Sequence, residues 1–388
     1  MAYDAKLGFS FYQPTRVLFG DGSVGELGPL CKRLGIERAM VVTDRVMRER
    51  TDVVARVERA LGTRMGAIYD GVIPDTGVAV IDDGARIAKE QGCDGLVSVG
   101  GGSAIDTAKG MALVMTEGGS IRDHHGSAHL QRRQTAHVAV PTTAGTGSEV
   151  SMYMVVKDER AHEKMHYVDD RLIPDAAVLD PEATLDMPAQ LTAATGIDAL
   201  THAIEAYTSQ NKNPIADGLA LQAMRLIARH LPRAVAEPAD KVARGQMLVA
   251  ANIAGLAFNS TGVGLVHAMA HVVGARHGVH HGTANAICLP HVIRFNSDEL
   301  GGCYRDVAEA LGIDARDLGD EMAGEAAAQA VAQLVARIKL PGRLRDVGVP
   351  EADLDQCAAH SLADGALVQN GKFAGDKQLV LGVYKNAY

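Results

Sequence analysis

At 388 residues the chain is too long for one typical domain and sufficient for two. Apolar residues make up 47% and charged residues 22%, the usage of an ordinary globular protein, which argues against disorder and fibrous repeats. The 47 acidic residues outnumber the 38 basic ones, for a formal charge of −9, which argues against a nucleic-acid surface and a polybasic membrane anchor.

Residues 1–10 lack a basic stretch followed by an apolar run, so no signal peptide is predicted. Residues 38–43 (RAMVVT) read as a buried strand that ends at Asp44. A carboxylate there suits the ribose hydroxyls of an adenosine and repels the 2′-phosphate of NADP. A helix N-cap ahead of residues 45–50 is the plain alternative. Residues 75–92 carry Val78, Ile81, Ala85 and Ala88 at helical spacing.

A second strand, residues 95–99 (GLVSV), runs into Gly100-Gly101-Gly102-Ser103-Ala104-Ile105-Asp106-Thr107-Ala108-Lys109. Backbone N–H groups at a helix start attract phosphate, and glycines let it approach closely. The spacing is neither G-x-G-x-x-G nor the nucleoside-triphosphate loop, so a tight turn with a Ser103/Asp106 capping box stands beside the phosphate reading. The strand at 136–140 (AHVAV) leads into PTTAGTGSE, where hydroxyls could meet a ribose or phosphate. Taken alone, a helix start capped by Thr146 and Glu149 is favoured there. Residues 176–179 (AAVL) are a further strand, and the alternation predicts a parallel α/β sheet covered by helices.

Near residue 185 the texture changes. Residues 185–230, 242–258, 263–274 and 320–338 read as helical, and strand signals nearly vanish. The predicted division is an α/β domain at 1–185 and a helical domain at 186–388. Asp198 and His202 stand at i and i+4 on one helix face. Of 15 histidines, five (His267, His271, His277, His280, His281) fall between 267 and 281. A lone histidine in such a helix is more often packing, but five together favour ligation of a borderline divalent cation. Asp198 has its own alternative, a capping box with Thr195. His124, His125, His162 and His166, with the other histidines, read as surface or loop. The five cysteines (Cys31, Cys93, Cys288, Cys303, Cys357) are scattered and odd in number, which fits a reducing, cytoplasmic setting. No run of 18 apolar residues predicts a membrane span.

Taken together these segments resemble the iron-containing, or group III, alcohol dehydrogenase family over nearly the whole chain. The match runs from Phe19-Gly20 through GGGSAIDTAKG and PTTAGTGSE to GLVHAMAH, HGTANAICLP and the Leu340-Pro341 to Val349-Pro350 stretch. The resemblance implies a Rossmann-like α/β N-terminal domain and an all-α C-terminal domain, the architecture shared with dehydroquinate synthase. It puts the metal ligands at Asp198, His202, His267 and His281, the last chosen by its register before Gly282. It makes His271 a proton relay beside the nicotinamide. Gly100, Gly101, Gly102, Ser103 and Asp106 match the pyrophosphate-side loop; Thr142, Thr143 and Thr146 match the second cofactor loop. Lys164 matches a lysine facing the cofactor, Asp44 a position favouring NAD, and Tyr153 and Phe258 a variable substrate pocket. His277 and His280 stand where an aromatic and a proline are common, Val272 where a proline is frequent, and Asn370-Gly371-Lys372 where Asn-Pro-Arg is often seen.

The implied activity is hydride transfer between a small alcohol or diol and NAD, with Fe²⁺ or Zn²⁺ polarising the substrate oxygen, in a cleft between the domains. Partners are then a small alcohol or aldehyde and further copies in a dimer or higher homo-oligomer, with no nucleic acid and no membrane. The rivals are glycerol-dehydrogenase-like or maleylacetate-reductase-like oxidoreductases, a dehydroquinate-synthase-like lyase, and a regulator without turnover.

Overall fold

Short β-branched runs supply the strands of the first half, and their flanking amphipathic segments the helices. The computed structural model describes residues 8–160 and 163–388. The chain divides into two units, Tyr12–Met187 and Pro188–Tyr388, the latter taking residues 8–11. The first unit begins with β1 (Arg16–Phe19), α1 (Leu27–Leu34), β2 (Ala39–Val42), α2 (Arg45–Arg50), α3 (Val53–Leu61) and β3 (Met65–Tyr69). It continues with α4 (Val78–Glu90), β4 (Gly95–Gly100), α5 (Gly102–Glu117), β5 (Gly126–Ser127) and β6 (Ala136–Pro141). The hairpin β7 (Tyr153–Asp158) and β8 (Glu163–Val168) and the strand β9 (Ala176–Leu179) complete it.

Six strands form a parallel sheet in the order β1-β9-β6-β4-β2-β3. Strands β2 and β4 are buried at every position, as helices on both faces require. Their residues alternate between two cores. Met40, Val42 and Leu96 join Ile81 and Met111 of α4 and α5. Ala39, Val41, Val97 and Val99 join Leu27 and Val57 of α1 and α3. A smaller sheet, β5-β8-β7, carries the antiparallel hairpin.

The strands expected at 38–43, 95–99, 136–140 and 176–179 are β2, β4, β6 and β9, and the helix expected at 75–92 is α4. The strands β1, β3, β5, β7 and β8 have no counterpart among the expected ones. From β3 at the sheet edge the chain returns on the other side of β2 as β4, so the topological switch lies between β2 and β4. Open α/β sheets bind ligands beyond the strand carboxyl ends at such a point.

In the second unit all regular structure among the described residues is helical. Its helices are α6 (Ala189–Thr208), α7 (Pro214–Ala236), α8 (Lys241–Thr261), α9 (Leu265–His277), α10 (His281–Ala310), α11 (Asp320–Arg337), α12 (Leu354–Ser361) and α13 (Lys377–Ala387). The single helical stretch expected over 185–230 is two helices. Pro214 opens α7 at its first position, and Asn213 caps it by accepting the Ala216 N–H at 3.0 Å. The 30-residue α10 bends at Leu300, whose φ and ψ of −117° and 19° are not helical. Among the described residues no single helix is long and apolar enough to cross a membrane.

Candidate functional site

In the first unit, three sequence-predicted loops lie side by side because their strands are neighbours in register. Val42 of β2 pairs with Ser98 of β4, and Gly100 of β4 with Pro141 of β6. Asp44 follows β2 and caps α2, its Oδ1 accepting the Met47 N–H at 2.9 Å. The N-cap expected as an alternative therefore forms, and the carboxylate still stands at the switch point.

The glycine loop and the threonine loop close on each other. Thr142 N–H donates to the Gly100 carbonyl at 3.0 Å. A Cβ on Gly101 would lie 3.2 Å from Thr143, and one on Gly102 3.0 Å from Thr146. Only glycine leaves this cradle open above the first turn of α5, where the Gly102 and Ser103 N–H groups precede the first helical hydrogen bond, Ala104 N–H to the Gly101 carbonyl at 3.0 Å. The residues thus fit a pyrophosphate.

The capping box expected at Ser103 and Asp106 does not form, since Gly101 precedes α5 with no side-chain cap. At the threonine loop a short turn does start, Ser148–Val150, and Thr146 Oγ1 accepts the Ser148 N–H at 3.3 Å. Asp106 instead accepts from Ser148 Oγ at 2.6 Å and Val155 N–H at 3.2 Å, so it holds the threonine loop and the start of β7. Burial pushes its carboxyl above the usual range.

Lys109, at the end of the glycine-loop motif, lies one turn further along α5. Its Nζ donates to the Ser151 and Tyr153 carbonyls, both at 2.8 Å, and the side chain is buried. Burial lowers this ammonium from 10.5 to about 8. The unfolded chain therefore binds more protons at Lys109 than the folded one between those values, and folded stability rises with pH across that window. Wild type should gain stability over Lys109→Met as pH rises from about 8 to about 10. Denaturant melts of both proteins check this, and a pH-independent difference contradicts it. Lys164 is exposed on β8, with Nζ 3.4 Å from Asp75 Oδ1; Tyr153 opens β7 half-buried.

In the second unit, α6 presents Asp198, His202 and Glu205 at i, i+4 and i+7, one stripe of a buried helix. Thr195 bonds back to the Leu191 carbonyl at 2.9 Å in mid-helix, so its expected capping box with Asp198 is absent. Helix α9 brings His267, and the first residue of α10 is His281. Three imidazole Nε2 atoms surround one oxygen, Asp198 Oδ1: His281 at 3.4 Å, His267 at 3.7 Å and His202 at 3.9 Å. Ligand atoms around a tetrahedral cation at about 2.1 Å lie about 3.4 Å apart, so this spacing matches a coordination shell better than hydrogen bonds. The ligand atoms of Asp198, His267 and His281 all lie within 4.8 Å of one another. His267 Nε2, the nitrogen that faces Asp198, is buried with no hydrogen-bond partner. A buried imidazole nitrogen without a partner is costly unless something else satisfies it, and a cation does. The donor set, one carboxylate and three imidazoles, fits a borderline divalent metal.

Two residues that the sequence reading missed orient this cluster. Glu205 accepts the Val266 N–H at 2.7 Å and holds His267 Nδ1 at 2.5 Å, which turns Nε2 toward Asp198. Burial would lower the His267 imidazole, but the carboxylates of Glu205 and Asp198 outweigh it and hold it at about 9. Asn285, one turn along α10 from His281, donates to Asp198 Oδ1 at 2.8 Å. Both stand at helical spacing from a residue already singled out, a signal available in the sequence.

Phe258 stacks on His202 with ring centroids 4.4 Å apart. His271 Nδ1 bonds Asp364 Oδ2 at 2.9 Å, its ring stacked on His281 at 5.4 Å. Burial lowers this imidazole to about 4. His280 is exposed, and His277 pairs with Asp353 outside the cluster. His125 and His166 are exposed and His124 half-buried; His162 lies outside the described residues. His137 departs from the surface reading, being buried on β6 with Nε2 2.8 Å from Ser98 Oγ.

Comparison with known proteins gives matches across the chain. Residues 14–181 match the family model described as iron-containing alcohol dehydrogenase, and residues 192–388 the model of that family's C-terminal region. The NAD-dependent methanol dehydrogenase of Bacillus methanolicus is 37% identical over 97% of this chain and 99% of its own. The 1,3-propanediol dehydrogenase of Citrobacter freundii is 38% identical over 98% and 99%. A crystal structure of 1,3-propanediol oxidoreductase superposes with a TM-score of 0.96 at 37% identity, covering 98% of this chain and 100% of that one.

Proposed function

Because the chain belongs to the iron-containing alcohol dehydrogenase family, we propose that it interconverts a small primary alcohol or diol and its aldehyde with NAD(H). The observation that carries this reading is the Asp198 cluster, three imidazole nitrogens around one buried carboxylate oxygen. Asp198, His202, His267 and His281 would hold a divalent cation, Fe²⁺ in our reading, with Zn²⁺ compatible with the same donors. When bound, the cation supplies a Lewis acid for the substrate oxygen, and the nicotinamide supplies the hydride acceptor or donor.

The chain's residues do the positioning. Gly100, Gly101, Gly102 and Ser103 offer backbone N–H groups to the pyrophosphate, and Thr142, Thr143 and Thr146 form the opposite wall. Asp106 and Lys109 hold that wall from beneath through Ser148, Ser151 and Tyr153. We assign Lys164 to the cofactor, and Tyr153 and Phe258 to the substrate pocket. Glu205 fixes the His267 tautomer, and Asn285 fixes the Asp198 rotamer. His271, neutral and held at Nδ1 by Asp364, is assigned to take up and pass on the substrate proton at Nε2.

We place the enzyme in the cytoplasm, supported by five free, buried cysteines, and read it as a dimer or larger homo-oligomer. The edge strand β1 supports assembly, since it exposes Val17 and Phe19.

NADH should accumulate when the metal-loaded enzyme meets NAD and a panel of small primary alcohols and diols. A lyase that uses bound NAD transiently would give product without accumulated NADH, which would overturn this reading. Asp44→Asn keeps the α2 cap and removes the charge. It should cut the NAD-over-NADP preference in kcat/KM by about tenfold, one like-charge contact of about 1.4 kcal/mol. An unchanged preference contradicts the assignment of Asp44.

A further inference from the structure

His277, one of the two imidazoles that depart from the family pattern, ends α9, whose C-cap is Gly278. Its Nε2 lies 2.8 Å from Oδ2 of Asp353, the N-cap of α12. Cys357, one turn along the same face of α12, is buried. Its Sγ lies 3.8 Å from His277 Nε2 and 3.7 Å from Asp353 Oδ2. All three ligand atoms fall within 4.8 Å of one another. None of the three belongs to the Asp198 cluster, and the dehydrogenase mechanism uses none of them.

We propose that His277, Asp353 and Cys357 form a second cation site, suited to a borderline divalent ion such as Zn²⁺. Around a tetrahedral ion with Zn–S of about 2.3 Å and Zn–N or Zn–O of about 2.05 Å, the sulfur sits about 3.5 Å from the other donors. The observed sulfur separations are within about 0.3 Å of that. Only the His277–Asp353 pair must open, by about half an ångström.

A thiolate and a carboxylate offset the charge of a dication, and Arg276 beside Asp353 leaves one net positive charge on the site; the imidazole is a neutral third ligand and water the fourth. Binding releases the Cys357 thiol proton to solvent, while the His277 proton moves to Nδ1 so that Nε2 can coordinate. The carbonyl end of α9 adds a favourable partial negative charge. Arg276 grips Asp353 through both oxygens, Nη2 to Oδ1 at 2.5 Å and Nε to Oδ2 at 2.8 Å. Its bond to Oδ1 persists when Oδ2 turns to the ion, the outer support that ligating carboxylates usually have.

Co²⁺ titrated anaerobically into the reduced, metal-free full chain tests the proposal. A thiolate-to-cobalt charge-transfer band should appear, with two ions bound per chain, because a site of carboxylate and imidazoles alone gives no such band. Cys357→Ser should lose the band and one ion. His277→Phe, which keeps the thiol, should weaken the cobalt dependence of the band at least about tenfold. His267→Ala should keep the band while losing the other ion, which separates failure of this site from failure of the Asp198 cluster. A band that survives in Cys357→Ser, or equal cobalt content in that variant and wild type, overturns the proposal.

Discussion

His267→Ala should reduce dehydrogenase turnover by about 10³-fold or more and remove one bound cation per chain, with NAD affinity unchanged. The expectation follows from where the residue sits. His267 is buried, its Nε2 has no hydrogen-bond partner, and that nitrogen faces Asp198 Oδ1 at 3.7 Å. Alanine removes one of the imidazole donors and leaves a cavity where the cation's shell was. Lewis-acid stabilisation worth several kcal/mol is then lost, and each 1.36 kcal/mol is a factor of ten in rate. NAD contacts are assigned to the first unit, whose loops keep their hydrogen bonds. Metal analysis, steady-state kinetics and NAD titration check the three parts separately. A fully active, metal-free variant contradicts the ligand assignment.

Glu205→Gln should lower metal affinity by about 10- to 100-fold, the usual cost of losing an outer partner of a ligating histidine. Glu205 uses one oxygen for the Val266 N–H and the other for His267 Nδ1. Glutamine has the same shape but a single acceptor oxygen and no charge, so it cannot serve both while keeping His267 equally basic. Turnover should recover at saturating metal, whereas a purely structural role would leave the metal dissociation constant unmoved and lower the melting temperature instead. An unchanged metal dissociation constant in Glu205→Gln contradicts the positioning role.

The parts of the fold legible in the sequence are those whose burial is uniform. β2 and β4 are apolar runs because helices cover both faces, and β9 is buried throughout. β1 escaped notice because it pairs on one side only and three of its four residues are exposed, so it lacks a patterned face. β7 alternates buried and more open positions, which a search for continuous apolar runs passes over. Asn213-Pro214 signals the division between α6 and α7, and the Ala-rich texture on either side masks it.

At the candidate sites, helical spacing identified pairs within one helix but not what faces them. Asp198 and His202 were visible as i and i+4, and Glu205 at i+7 completes the same stripe. His267 lies 62 residues from Glu205, so only the local density of histidine marked it. The capping-box patterns Ser103/Asp106 and Thr195/Asp198 do not form caps. In both, the acidic residue is drawn away by long-range partners: Ser148 and Val155 for Asp106, Asn285 and the imidazoles for Asp198.

The most direct measurement follows NADH absorbance anaerobically, on enzyme stripped of metal and reloaded with either Fe²⁺ or Zn²⁺, with NAD and a small diol supplied. NADH formation that is absent in the stripped protein and returns with the cation is the expected result. Equal turnover with and without metal would contradict the account.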